Sequence, residues 1–243
     1  MSERFGRTEL IFGSDAMEKL AAARVAVFGV GGVGGFVVET LARAGVGALD
    51  LIDNDQVCLS NFNRQIIALQ STLGKYKVDA AAERIADINP DAAVRTYKIF
   101  YAPDTAEQFD FSEYDYIVDA IDSVSGKIEL VLNAKACKTP IICSMGAGNL
   151  FDPTAFEVTD IYKTSVCPLA RVMRCELKKR GVDSLKVVYS KEKPHKPFNA
   201  APEADNSGNN GTRRKRVPGS TSFVPPVVGM IIAGEVIKDI IGI

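Results

Sequence analysis

GVGGVGG, at residues 29–35, is the stretch that decides the fold of this chain. It follows the apolar run Arg24–Phe28, which has the composition of a buried strand, and it precedes residues 36–43, whose apolar positions recur with helical spacing. Glycines at its first, third and sixth positions fill the pattern G-x-G-x-x-G, in which they allow positive φ and a close approach of the backbone to a phosphate. The helix that begins there directs free N–H groups at an anion. The stretch therefore predicts a strand, turn and helix that bind a nucleotide phosphate through Gly29, Gly31, Gly32 and Gly34.

A carboxylate follows the next predicted strand, residues 48–53. Asp53 lies nineteen residues after Gly34, close to the ~20 residues expected for a carboxylate that accepts hydrogen bonds from ribose hydroxyls. A G-x-G-x-x-G pattern alone is weak, because a tight turn without a ligand uses the same glycines. The strand, the helix and Asp53 together favour nucleotide binding.

Three charged residues further along indicate which nucleotide is bound. A nicotinamide cofactor needs little positive charge, whereas an ATP whose phosphates are attacked needs cations nearby and a carboxylate for Mg²⁺. Arg64 and Lys77 supply the charge, and Asp122 follows the predicted strand 116–121, at the edge where ligands of open α/β sheets bind. Each has a simpler interpretation, since Arg64 and Lys77 could be solvated helix charges and Asp122 could cap a helix that begins near Ser125. Together they favour a site that transfers adenylate.

Several motifs of the first 150 residues occur together in one known family. They are the glycine turn at 29–34, DND at 53–55, SNFNRQ at 60–65, Lys77, NP at 89–90 and DAID at 119–122. In this set the chain resembles the ubiquitin-activating-enzyme-like fold of the ThiF, MoeB and HesA proteins, and the resemblance covers nearly all of residues 4–150.

Motifs of the second half resemble one branch of that family, the tRNA threonylcarbamoyladenosine dehydratases. They are DIYKTS at 160–165, PLARVMR at 168–174, LKKRG at 177–181, VYSKEKP at 188–194 and GSTSFVP at 219–225. Enzymes of this branch use ATP to cyclise the threonylcarbamoyl group on the adenosine next to the anticodon. The resemblance therefore implies an ATP-dependent cyclisation through an acyl adenylate, with release of AMP and pyrophosphate.

The resemblance also implies roles for individual residues. Asp53 is expected to bind the ribose, with Asp55 in the same site. The phosphates are expected to contact Asn61, Arg64 and Lys77. Asp122 is expected to bind Mg²⁺. Arg7 is expected to reach the ATP of the partner subunit in a homodimer. Without the resemblance Arg7 would be an ordinary charge near a chain terminus.

Predicted strands and helices alternate along the chain, which is typical of a mostly parallel sheet with helices on both faces. In the second half, predicted strands at 155–159 and 185–189 flank a helix that Pro168 starts and Gly181 ends, so we expect antiparallel strands to extend the sheet. The fold class predicted is therefore a Rossmann-like α/β domain. We expect a single domain over residues 1–243, with a nucleotide-binding half at 1–150 and an extension at 151–243 that contains a basic loop at 191–219 and an apolar C-terminal helix.

The five cysteines include no C-x-x-C pair, which argues against a disulfide framework and against a structural zinc site. Cys137 and Cys143 lie in apolar surroundings and are expected to fill the core, whereas Cys58 could be buried or line the site. Cys167 precedes a predicted helix start, where a thiolate would be stabilised, and is a candidate for a covalent role. The single histidine, His195, lies in a predicted loop and is a weaker catalytic candidate.

Charge separates the two halves of the chain. Residues 163–216 contain fourteen Lys and Arg against five Asp and Glu, while the whole chain has a net charge of −1, so the remainder must total about −10. This asymmetry favours a polyanionic partner such as tRNA, with RRKR at 213–216 and KKR at 178–180 as phosphate contacts. The alternative is a solvated helix end and a basic loop. The sequence contains no stacking motif of a named RNA-binding module.

The C-terminal segment, residues 223–243, is the most apolar part of the chain. Its uninterrupted run is shorter than the ~20 residues of a membrane span, so we expect it to pack against the body or a second subunit, with peripheral membrane attachment as the alternative. The N-terminus lacks the pattern of a secretory signal, which predicts a cytoplasmic protein.

Three other functions fit part of the sequence. Adenylation of the C-terminus of a ubiquitin-like or sulfur-carrier protein uses the same first half-reaction, but the absence of the zinc cysteines and the basic second half count against it. A nicotinamide oxidoreductase leaves Arg64, Lys77 and Asp122 without a role. A scaffold protein would be expected to have lost a phosphate-site residue. A sulfur-transfer protein is a further candidate partner.

Overall fold

The computed structural model describes residues 3–198 and 218–243. Seven strands form one sheet: β1 (Arg24–Phe28), β2 (Ala48–Ile52), β3 (Ala93–Tyr97), β4 (Tyr116–Asp119), β5 (Ile141–Ser144), β6 (Phe156–Asp160) and β7 (Lys186–Ser190). The helices are α1 (Gly6–Phe12), α2 (Ser14–Ala22), α3 (Gly34–Ala44), α4 (Lys77–Ile88), α5 (Val124–Cys137), α6 (Pro168–Lys179) and α7 (Val224–Ile241).

The sheet has the order β3-β2-β1-β4-β5-β7-β6. The first six strands in this order pair in parallel, and β6 pairs antiparallel to β7 at the edge. The predicted fold class is confirmed, including the change of strand direction in the C-terminal half. Because the chain order reverses between β1 and β4, the carboxyl ends of these strands border a crevice where ligands of such sheets bind.

Helices cover both faces of the sheet. Alternate strand residues point to opposite faces: Val25 and Val27 join the core beneath α2, α3, α4 and α7, whereas Ala26 and Phe28 join the core beneath α5 and α6. Phe28 packs edge-on against Tyr101, with ring centroids 4.8 Å apart, in a cluster of aromatic side chains on the second face.

The apolar C-terminal segment forms α7, which packs against α3 and the sheet. Pro225 and Pro226 lie in its first turn, where proline is tolerated because the N–H groups have no helical acceptor. The buried face of α7 includes Val228, Ile232 and Val236, so packing against the body accounts for this apolar run. In the described part of the chain, no helix combines the length and the hydropathy of a membrane span.

The cysteines divide by position. Cys143, in β5, is completely buried, and burial raises the pKa of its thiol well above the usual value, as a core-filling role predicts. The same expectation for Cys137 is wrong, since this residue is exposed. Cys137 ends α5 one residue before the left-handed C-cap Lys138, so it lies past the last buried position of the helix, Ala134.

Candidate nucleotide site

The glycine turn at residues 29–34 connects β1 to α3 at the carboxyl edge of the sheet. Gly29 has φ +90°, and a Cβ there would lie 2.7 Å from the carbonyl oxygen of Ala120. A Cβ on Gly34 would lie 1.7 Å from the carbonyl oxygen of Gly29. Side chains at these two positions are therefore excluded, and the backbone stays bare where α3 begins.

Asp53 leaves β2 and turns back towards this glycine turn. Its Oδ2 accepts a hydrogen bond from the N–H of Val30 (2.8 Å), and its Oδ1 accepts one from the N–H of Asp55 (2.9 Å). Burial raises the pKa of Asp53 above its usual value, while Lys77 and the two N–H donors offset part of the rise. The carboxylate is thus fixed beside the turn.

Lys77 begins α4 and lies between two carboxylates. Its Nζ is 2.6 Å from Oδ2 of Asp55 and 4.0 Å from Oδ1 of Asp53. The Lys77 side chain is 7% exposed and that of Asp55 is 62% exposed. The backbone N–H of Lys77 also donates to the carbonyl of Asp55 (2.9 Å). A nearly buried ammonium is therefore held at the site, with one carboxylate partner open to solvent.

Arg64 lies on the other side of the turn. A Cβ on Gly32 would lie 3.4 Å from Cγ of Arg64, so the arginine stem runs along the bare backbone. Its guanidinium donates to the carbonyl of Ser60 (2.8 Å) and to Oδ1 of Asn63 (2.9 Å). Asn61 is buried, and its side-chain oxygen accepts from the N–H of Cys58 (3.2 Å). This loop therefore uses Asn61 to hold its own shape.

Asp122 follows β4 by three residues and is exposed at the same edge. Its neighbour Asp119 is completely buried and pairs with Lys127 of α5 at 2.9 Å, and Lys127 Nζ also donates to the carbonyl of Ser144 (2.8 Å). The Oδ2 atom of Asp119 has no hydrogen-bond partner among the described residues. A buried ion pair thus joins the ends of β4 and β5.

Two buried polar residues of this region were not among the predicted site residues. One is Lys127, which the sequence does not distinguish from the other lysine of α5, Lys135. The other is Gln65, whose Nε2 would lie 3.8 Å from a Cβ on Gly31 and whose Oε1 has no partner among the described residues. The signal for Gln65 was its position inside the motif SNFNRQ, directly after Arg64.

The segment that precedes α7 also reaches the site. We call residues 218–223 the C-terminal arm. The side-chain amide of Asn63 donates to the carbonyl of Ser220 (3.0 Å). Asn149 forms two hydrogen bonds with Gly219: its N–H donates to the carbonyl of Gly219 (2.8 Å), and its side-chain Oδ1 accepts from the N–H of Gly219 (2.7 Å). Asn149 has φ +59°, a conformation that asparagine tolerates better than most residues. The arm therefore links the loop after β5 to the loop that carries Arg64.

Other predicted residues belong to elements outside the turn. Arg7 is exposed on α1, Cys58 is exposed, and His195 lies on the loop after β7. Cys167 is buried at the N-cap of α6. The predicted phosphate contacts at 213–216 lie outside the described residues.

The residues at this edge fit an ATP molecule. The turn is bare backbone, because a Cβ at Gly29 or Gly34 would strike a carbonyl oxygen, and cationic side chains lie beside it, at Arg64 and Lys77. Asp122 adds an exposed carboxylate after β4. In the described chain no three His, Cys, Asp or Glu side chains converge as a ready-made metal site.

Comparison with known proteins agrees with this geometry. The model of the ThiF family matches residues 5–243, so this chain belongs to the ThiF family. It is 43% identical over 243 residues to the tRNA threonylcarbamoyladenosine dehydratase of Bacillus subtilis (strain 168), a match that covers 99% of this chain and 96% of that protein. It is 44% identical over 176 residues to the enzyme of the same name from Escherichia coli (strain K12), covering 72% of this chain and 66% of that protein.

A solved structure extends the comparison to three dimensions. The crystal structure of the E. coli tRNA N6-threonylcarbamoyladenosine dehydratase TcdA in complex with ATP superposes with a TM-score of 0.86 at 34% identity, covering 99% of this chain and 94% of that one. The resemblance noted from the sequence motifs is confirmed.

Proposed function

We propose that this protein is an ATP-dependent tRNA threonylcarbamoyladenosine dehydratase. The observation that carries the proposal is the match to the B. subtilis dehydratase over 99% of the chain. The glycine turn, Asp53, Arg64 and Lys77 at one edge of the sheet support the adenylating half of the reaction.

The proposed reaction has two steps. A carboxylate oxygen of the threonylcarbamoyl group attacks the α-phosphorus of ATP, and the bond to the β,γ-phosphates breaks, which gives an acyl adenylate and pyrophosphate. A nitrogen or oxygen of the same threonylcarbamoyl group then attacks the acyl carbon, so that a ring closes and AMP leaves. Because this second nucleophile belongs to the same group, its effective concentration is high, and no enzyme nucleophile is required.

The side chains act by positioning and by electrostatics. Arg64 and Lys77 stabilise negative charge on the phosphates as the attack proceeds. Asp53 and Asp55 orient the nucleotide, and Asn61 holds the loop of Arg64 in place. Mg²⁺ on Asp122 would neutralise charge on the phosphate oxygens.

The proposed homodimer rests on α1. Arg7 lies on this helix together with Leu10 and Ile11, whose side chains are 87% and 81% exposed. Large exposed apolar side chains next to each other are typical of an interaction surface. Packing of α1 against a second copy would cover them and would bring Arg7 to the partner's ATP.

The proposed tRNA contact uses the basic second half. In the KKR run at 178–180, Lys179 and Arg180 both form ion pairs with Glu176, at 2.6 and 2.7 Å. Lys178 is exposed and has no ion pair within the described chain. The predicted contribution of this run is therefore smaller than its three charges suggest. We also propose a cytoplasmic location, where tRNA is available, and a sulfur-transfer protein as a partner in the same pathway.

Release of AMP and pyrophosphate from ATP tests the function. We expect AMP only with tRNA that carries the threonylcarbamoyl group, and not with the same tRNA lacking it or with a carrier protein. Arg64→Ala is expected to abolish AMP release, while Arg95→Ala, at an exposed position of the edge strand β3, should leave it intact. AMP formed only with the carrier protein would instead establish the protein-activating alternative, and AMP formed with neither would refute both.

A further inference from the structure

We infer that Phe151 and His195 form a stacking platform for an unpaired base of the tRNA substrate, at the rim of the nucleotide site. The inference rests on the proposed function and adds to it a binding subsite for the RNA. These residues are 44 positions apart in the chain, so no local sequence motif predicts their contact. In the fold their ring centroids lie 4.5 Å apart, with 43° between the ring planes.

The rings of the platform are exposed to solvent. Phe151 is 51% exposed, and Phe198, further along the same loop as His195, is 97% exposed. Exposed aromatic rings of this kind bind unpaired bases by stacking, which is how proteins recognise single-stranded loops of RNA.

The charge around the platform suits a phosphate backbone. Lys193 and Lys196 flank His195 and are exposed, and neither has an ionic partner in the described part of the chain. Lys191, by contrast, pairs with Glu157. Two ammonium groups close to His195 in the sequence, unpaired within the described chain, complement single-stranded RNA better than an apolar peptide, because each can neutralise a phosphate.

The platform is held rigidly. The carboxylate of Glu192 accepts hydrogen bonds from the N–H groups of Phe151 (3.0 Å) and Asp152 (2.9 Å) and lies 2.8 Å from Nε2 of His195. Burial raises the pKa of Glu192, but these donors outweigh it and bring the pKa below its usual value. One anionic side chain thus holds the backbone of Phe151 and the ring of His195, and a pre-formed platform loses little entropy on binding.

Hydrogen bonds also join the platform to the phosphate site. The backbone N–H of His195 donates to the carbonyl of Asn149 (2.8 Å), and Asn149 pairs with Gly219 of the C-terminal arm. The next arm residue, Ser220, accepts from Asn63, which contacts the guanidinium of Arg64. A base on the platform therefore lies next to the loops that border the reacting group.

Tryptophan fluorescence provides a direct test, because the chain contains no tryptophan. In the full-length Phe151→Trp variant the indole is the only such fluorophore. We expect an anticodon stem-loop RNA to quench it, and ATP alone to leave it unchanged. Phe100→Trp, at an aromatic position that is 55% exposed beyond β3, should not respond to the RNA. An unchanged Phe151→Trp signal at an RNA concentration that saturates binding in a gel-shift assay would overturn the platform.

Kinetics separate the platform from the proposed function. Phe151→Leu removes the ring but keeps an apolar side chain, and we expect the KM for modified tRNA to rise at least about fivefold, with the KM for ATP unchanged. Phe151→Tyr should restore the KM, and Phe100→Leu should not alter it. An unaltered KM for tRNA in Phe151→Leu refutes the platform alone, whereas a wild-type protein that neither binds the RNA nor forms AMP refutes the proposed function together with it.

Discussion

Lys127 and Asp119 form a buried ion pair, and Asp119 precedes the proposed Mg²⁺ ligand Asp122 by three residues. Both side chains are at most 1% exposed, and Lys127 Nζ joins Asp119 of β4 to the carbonyl of Ser144 at the end of β5. Water cannot replace either partner at such a position. The pair therefore fixes the relative positions of two strand ends that border the site.

Removing one member of this pair should be costly. For Lys127→Met we expect a loss of about 3–5 kcal/mol in the free energy of unfolding, because Asp119 would be left as a buried charge without a cation. Urea unfolding of Lys127→Met and of Lys135→Met, at an exposed position of the same helix, measures the effect. The Lys135→Met variant should stay within about 0.5 kcal/mol of wild type, and equal losses in the two variants would contradict the assignment.

Residues of the site differ in how far the sequence predicts them. Gly29, Gly34 and Asp53 were predictable because local spacing alone fixes a turn, a helix start and the carboxylate after the next strand. Lys127 was not, since its burial depends on β5 lying beside β4, and the other lysine of α5, Lys135, is exposed. Gln65 lies within the motif SNFNRQ, but only the fold places its amide beside Gly31.

Among the elements, α3 and α7 pack with their backbones unusually close. A Cβ on Gly229 of α7 would lie 2.4 Å from the carbonyl oxygen of Val33 and 2.8 Å from Cβ of Phe36. These residues belong to the end of the glycine turn and the first turn of α3. The position of α7 is therefore coupled to the N–H groups proposed to face the phosphates.

Gly229→Ala should push α7 away from α3. We expect lower stability and a higher KM for ATP, because the obstructing atoms include backbone that cannot move aside. Gly234→Ala on the same helix is the matched control, since nothing lies within 4 Å of its added Cβ, and alanine should raise stability by about 0.5–1 kcal/mol through helix propensity. Thermal unfolding and ATP kinetics of both variants decide the point, and a stabilised Gly229→Ala with normal ATP kinetics would refute it.

Glu39 connects α3 to α4. Its carboxylate accepts two hydrogen bonds from Arg84, at 2.6 and 3.0 Å, and one from Arg43 at 2.8 Å. Burial raises the pKa of Glu39, but the two arginines outweigh it, so the pKa lies below its usual value of 4.5. The ionised carboxylate is therefore favoured by folding.

The contribution of Glu39 should depend on pH. Because its pKa is lower in the folded than in the unfolded chain, its stabilisation is present above pH 4.5 and is lost as the pH falls through the folded value. We expect Glu39→Gln to cost about 1 kcal/mol at pH 7 and to approach wild-type stability in acid. Denaturant unfolding at a series of pH values measures this, and a cost independent of pH would show that the charge is not involved.

The strands β1 and β2 and the helix α3 were predictable because each carries its own periodicity. The helices α1 and α2 were not predicted. The place of β7 between β5 and β6 was not, because strand order depends on long-range pairing. A similar limit applies to α7: its composition predicts burial but does not specify that Gly229 lies against the turn.

For the whole molecule, the proposed dimer makes a sharp prediction about Arg7. We expect Arg7→Ala and Arg64→Ala each to be inactive, because each removes a cation from the site. After unfolding and refolding together, mixed dimers would contain one complete site, with Arg64 from one chain and Arg7 from the other. Random pairing then restores about a quarter of wild-type AMP release.

The control is each variant unfolded and refolded by itself. Refolding each variant alone should restore no activity. If Arg7 acts within its own chain, the mixture will remain inactive even though size-exclusion chromatography shows dimers.

Asn149 has a consequence for how this molecule can be altered. His195 and Gly219 are both hydrogen-bonded to it, so these two positions, 24 residues apart in the chain, are anchored at one point. For protein engineering, this segment is a site for domain insertion. A foreign domain whose own termini lie close together can be inserted between His195 and Gly219 without separating these two residues. Since loop closure costs little extra entropy as a loop lengthens, we expect such an insertion to change the stability of the body little.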